Sequence, residues 1–150
     1  TLVMSGEAKI AWQGERPFLS TGTNDYGAQL ALQRKFSRQA VYCNASLVST
    51  DGRVFGLELG RRVIPTFTAA WEVEMTEFTN LIGQVYASKS TIRDTSMEVI
   101  TADKYQVSVG VRSRRGGLIY GFAFTENVKN FDNTPDVGLT LTLAWADLMP

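Results

Sequence analysis

Glu72 and Glu74 stand two residues apart in TFTAAWEVEMTEF (66–78), where Phe67, Ala69, Trp71, Val73 and Met75 alternate with Thr68, Ala70, Glu72, Glu74 and Thr76. Two carboxylates on one face of a strand lie about 7 Å apart along the chain. Such a pair can divide general-acid and general-base work, as in inverting glycosidases. The chain has no histidine, which removes Ser-His-Asp and Cys-His catalysis and the commonest ligand of zinc, copper and haem. No second catalytic motif accompanies the two acids. Lys9, Arg62 and Arg112 fall on the matching face of other stretches, so ion pairing is the stronger reading of the glutamates. The expectation is a non-enzyme with no cofactor and no metal.

Glu7, Lys9, Glu58 and Arg62 join Glu72, Glu74 and Arg112 as one charged set. In a pore such a set would tune ion selectivity. In a narrow barrel it would plug the bore with salt bridges. The stretch ENVKNFDNTPD (126–136) is rich in oxygen donors, but it lacks the acidic spacing and central glycine of an EF-hand loop. Asn and Asp there suit Asx-turns. Arg112, Arg114 and Arg115 precede Gly116-Gly117, a basic turn that would either touch phosphate groups or stand in water. No interleaved aromatics argue for nucleic acid. Asn44-Ala45-Ser46 matches a glycosylation sequon but falls in mid-strand, and the single cysteine, Cys43, rules out an intramolecular disulfide.

These residues need elements to hold them, and the elements announce themselves by a period of two. Large apolar residues occupy every second position in nine stretches: 2–12, 25–36, 39–48, 53–63, 66–78, 80–90, 103–113, 117–128 and 136–145. That pattern means half-buried β-strands, each near the length a tilted membrane strand needs. The stretch 80–90 is the weakest, because Ile82 and Tyr86 share its polar side. Thr50-Asp51-Gly52 and Arg115-Gly116-Gly117 are hairpin signals, Ile64-Pro65-Thr66 marks a corner, and the links at 36–38 and around Glu77 are short. The connections 13–24, 91–102 and 127–135 are longer. At 150 residues the chain is one domain, 1–150.

Fifteen cations balance fifteen acids, so no global charge recommends a polyanionic partner. No apolar run is long enough for a transmembrane helix. The opening TLVMSGEAKI lacks the basic start and apolar stretch of a signal peptide. The chain starts with Thr, and the expectation is a processed or truncated product.

The second face of each stretch is rich in Gly, Ala, Ser, Thr and Gln. That is a poor solvent surface and a fitting lining for a cramped interior. The apolar face carries Trp12, Phe67, Phe124 and Trp145, read as an interfacial girdle. The expected fold is therefore all-β, an antiparallel up-and-down transmembrane β-barrel with about 8–10 strands in this chain. Leu30, Leu57, Trp71, Val109, Phe122 and Leu141 would face lipid. The alternative is a soluble up-and-down barrel that binds a lipid or other apolar ligand inside. A third reading is a scaffold subunit wrapping a partner in a membrane complex.

SGEAKI and FLSTGTNDYGAQLALQRKF, followed by GLIYGFAFTENVKNFDNTPDVGLTL, resemble the C-terminal part of an uncharacterised family of predicted bacterial outer-membrane β-barrels. There a "TEN" closes one strand and a "D-hydrophobic-G" opens the next, here Thr125-Glu126-Asn127 and Asp136-Val137-Gly138. The resemblance is loose across the chain and more specific over 118–143. It implies an outer-membrane location, a structural or porin-like channel role, and further N-terminal strands. Asp136, Gly138, Leu141 and Leu143 also resemble the C-terminal assembly signal of such barrels, with Leu where an aromatic is usual and a tail (144–150) beyond. The implied partners are membrane lipid, the barrel assembly machinery and other membrane subunits, with no nucleic acid.

Overall fold

In a computed structural model, which describes residues 1–9, 24–50, 60–93, 96–129 and 137–145, eight strands form one sheet. They are β1 (Leu2–Lys9), β2 (Asp25–Phe36), β3 (Gln39–Ser49), β4 (Val63–Thr76), β5 (Thr79–Ser88), β6 (Lys104–Arg115), β7 (Leu118–Lys129) and β8 (Val137–Trp145). Each runs antiparallel to its predecessor, in sequence order. The sheet is not closed: β1 and β8 are its two edges.

Eight of the nine expected stretches form these strands. The ninth differs. β3 pairs directly with β4, from Gln39↔Val73 to Ser49↔Val63, so no strand from 53–63 stands between them. Of that stretch, 53–59 lie outside the described residues, Gly60 bridges to Ile92, and Val63 opens β4. Pro65 is not a corner but lies within β4. It is tolerated because it stands at the end of the ladder to β5, where its carbonyl accepts from the Lys89 amide at 3.2 Å and only the return bond is missing. Of the hairpin signal Thr50-Asp51-Gly52, Asp51 and Gly52 lie outside the described residues, and the Thr50 amide and hydroxyl donate to the carbonyls of Arg62 and Arg61, each at 2.9 Å. The connection between β5 and β6 holds a helical turn, α1 (Glu98–Thr101), that the alternation did not announce.

Two-residue turns at Ser37-Arg38, Glu77-Phe78 and Gly116-Gly117 lie at one end of the sheet, and the long connections lie at the other. Gly116 takes φ 58° and Ser37 takes φ 48°. This left-handed region is open to glycine and strains serine.

The two faces differ in exposure as well as in chemistry. Leu30, Trp71, Val109, Phe122 and Leu141 are all exposed, while Gln29, Asn44, Thr68 and Ser108 on the other face are half-buried. The sheet therefore curls toward its polar side. Among the described residues Ala40 is the only buried hydrophobic. An apolar core of the ordinary kind is missing from this part of the molecule.

Candidate functional site

The polar face gathers its charges near the short turns. Register places Glu72 between Ala40 of β3 and Ile82 of β5, with Gly110 of β6 next across. Tyr42, Asn80 and Arg112 each stand two residues from those partners, on the same face. The Tyr42 hydroxyl donates to Glu72 Oε2 at 2.6 Å. Asn80 Nδ2 and Arg112 Nη2 both donate to Glu72 Oε1. Glu72 is 7% exposed, whereas the Arg112 side chain is about half exposed. The carboxylate thus has three donors, one of them charged, which is the strong form of the bond. Glu74 turns to another partner, Arg38, whose Nε lies 3.7 Å away. A pocket of about 260 Å³ opens beside the cluster, lined by Gln33, Lys35, Arg38, Tyr42, Glu72 and Arg112 among others.

Glu72 accepts from three donors and Glu74 pairs with Arg38, and both glutamates line that pocket.

The expected charged set is divided. Glu72, Glu74 and Arg112 come together. Glu7 lies on β1 opposite Gly27, and Lys9 ends β1 in register with Asp25, both toward the long connections. Arg62 sits in a bend before β4, outside the strands. Glu58, Leu57 and Asp136 lie outside the described residues. Sequence reading missed Tyr42, Asn80 and Arg38. The β4–β5 turn at Glu77-Phe78 sets Glu74↔Asn80, but the β3–β4 register that brings Tyr42 beside Glu72 crosses a long connection and had no sequence signal.

Elsewhere the polar face satisfies itself across strands. Thr66 pairs with Ser88 at 3.1 Å and Ser108 with Thr125 at 2.8 Å. Asn127, the last residue of Thr125-Glu126-Asn127, is 2% exposed and accepts a bond from Gln106 Nε2 at 3.1 Å. Its side chain serves the sheet, and the oxygen-rich segment after it (130–136) lies outside the described residues. Among the described residues no group of three His, Cys, Asp or Glu could hold a metal.

The apolar face carries its aromatics in an order the sequence reading had only in part. Phe67 and Phe124 lie within β4 and β7, Trp145 ends β8, and Trp12 is outside the described residues. Tyr26 and Phe36 stand near the two ends of β2, Phe78 in the β4–β5 turn and Tyr120 near the start of β7. Trp71 stands opposite Gly83 in register, and its indole N–H donates to Gln39 Oε1 at 3.1 Å. Gly138 faces Thr125 on the polar side, while Leu141 and Leu143 of the same strand are about 80% exposed.

A second ionic cluster clamps the β5–β6 connection. Lys89 Nζ donates to Asp103 Oδ2 at 2.6 Å, the Ser90 amide donates to Asp103 Oδ1 at 3.2 Å, and the Ser90 hydroxyl donates to the Ile100 carbonyl at 2.8 Å. Burial pushes the Asp103 carboxyl up, but the bonds from Lys89 and the Ser90 amide outweigh it and hold it below its ordinary range. The Lys89 ammonium is raised, chiefly by its bond to Asp103.

Comparison with family models, with curated proteins and with solved structures finds no match for this chain.

Proposed function

We propose that this chain is a membrane-spanning β-barrel segment of the bacterial outer membrane, with a structural or channel role and no enzymatic activity. One observation carries the reading: the large apolar side chains occupy the exposed face of the curled sheet, and the polar residues occupy its inner face. Water would penalise that arrangement, at roughly 25 cal/mol for each Å² of apolar surface left wet. Hydrocarbon outside and a polar lumen inside suit both faces. The alternative, a soluble barrel with an apolar ligand at its centre, would put Leu30, Trp71, Val109 and Phe122 on the inner side.

The strand architecture supports the same reading. Short turns at one end and long connections at the other are the habit of outer-membrane barrels. In hydrocarbon the edges β1 and β8 need neighbours, because each unsatisfied backbone group there costs several kcal/mol. They find them in each other or in further strands of a larger barrel. The Glu72 cluster then lines the lumen. A conductance step in planar bilayers selects the channel role, and its absence selects the scaffold. The proposed partners are lipid, the assembly machinery acting on the β8 signal, and other membrane subunits.

The test uses one strand and two faces. Leu141 is the fifth of nine residues in β8, and Thr142 lies opposite Gly121, where a long side chain has room. Leu141→Arg is expected to cost roughly 2–4 kcal/mol at mid-depth and to abolish insertion into lipid vesicles. Thr142→Arg is expected to insert nearly as well as the parent. Equal insertion of the two would count against the reading.

A further inference from the structure

The short-turn end of the sheet gathers cations. At the short-turn end stand Arg34, Lys35, Arg38, Arg112, Arg114 and Arg115, against Glu72, Glu74 and Glu77. Among the described residues six cations thus meet three acids there. Glu72 and Glu74 are already engaged by Arg112 and Arg38. Arg34, Lys35, Arg114 and Arg115 are all exposed, and Arg114 Nε donates to the Gly116 carbonyl at 3.1 Å.

Arg34 is the informative one. Register pairs it with Val41, so it belongs to the apolar face, where a cation at mid-depth would be costly. It stands two residues from the end of β2, and its guanidinium lies 4.8 Å from the centroid of the Phe36 ring. This is how an arginine at the margin of an apolar band keeps its stem on the band and its charge in the polar zone. Exposed aromatics mark the same level: Phe36, Phe78, Tyr120 and Trp145. Side chains of that kind collect where hydrocarbon meets headgroups.

Taking the membrane reading above as its basis, we infer that the short-turn rim is a binding surface for the phosphate groups of anionic membrane lipids. Its excess positive charge is the complement of a phosphate layer, and the aromatic level fixes the depth at which the cations meet it. Arginine forks suit phosphate oxygens better than lysine does. Most of the rim cations are arginine.

The experiment reconstitutes the chain into phosphatidylcholine bilayers containing a minor fraction of phosphatidylglycerol. Spin-labelled lipids of each class then report which headgroup is immobilised at the protein surface. The wild type is expected to enrich phosphatidylglycerol about fivefold, the attraction of a single surface cation, and high salt is expected to erase the enrichment. The triple variant Arg34→Gln, Arg114→Gln, Arg115→Gln is expected to fall to parity. A control at the other end, Arg62→Gln with Lys104→Gln, is expected to keep the preference. Insertion without any preference, or a preference untouched by the triple variant, overturns the inference and leaves the membrane reading standing. Failure to insert into these bilayers overturns both. Should the triple variant not fold, a wild-type preference that survives high salt overturns the inference in its place.

Discussion

Glu72 accepts from Tyr42, Asn80 and Arg112 while almost wholly buried, so its removal strands three donors. Glu72→Ala is expected to destabilise the sheet by about 2 kcal/mol, softened because Arg112 reaches solvent. Arg112→Ala combined with it is expected to cost less than the sum of the two, with a coupling of about 1 kcal/mol. Denaturant titration of the four variants in one lipid or detergent reads this, and strict additivity would mean that the cluster is not a unit. The Lys89–Asp103 clamp makes a prediction in pH. Asp103 is depressed on folding, so its contribution is complete above the ordinary carboxylate range near 4 and fades as pH falls through its lower folded value. Lys89 is raised, so its share is complete below its ordinary value and fades only in strong alkali. Hydrogen exchange at the Ser90 amide should therefore quicken, beyond the intrinsic trend, in acid and not near neutrality. Asp103→Asn should remove the acid step.

Two glycines show how the strands meet. A Cβ on Gly83 would find nothing within 4 Å, whereas one on Gly110 would lie 2.8 Å from the Phe122 carbonyl and 2.9 Å from the Ala123 Cβ. Gly83→Ala is expected to be neutral or to stabilise by up to about 1 kcal/mol. Gly110→Ala is expected to cost about 1–3 kcal/mol through overpacking against backbone. Thermal or denaturant midpoints order the two variants, and the reverse order would contradict the β6–β7 register. Most strands were legible because side-chain alternation follows directly from the pleat. The register was not, since alternation says which face Glu72 takes but not that Tyr42 and Asn80 stand beside it. The stretch 53–63 shows the limit: it alternates like a strand, yet β3 and β4 pair without it. Pro65 misled in the opposite sense, because proline reads as a corner wherever the ladder around it is unknown.

At the scale of the molecule, the sheet inverts the usual placing of apolar and polar residues. Among the described residues one hydrophobic is buried and the hydrophobic face lies open, from Met4 on β1 to Leu143 on β8. Eight antiparallel strands, two open edges and sorted ends are what remains to be completed by a surrounding phase. The identity of that phase is the central claim. Nitroxides placed singly at Val109, Phe122 and Leu141, and at Ser108, Ala123 and Thr142, measure it in reconstituted bilayers through collision with oxygen and with a water-soluble nickel complex. The first three are expected to favour oxygen, the second three to favour the nickel complex or neither, with the preference alternating at every residue along β7 and β8. Oxygen preference at Ser108, Ala123 and Thr142, with Val109, Phe122 and Leu141 shielded, would contradict the account.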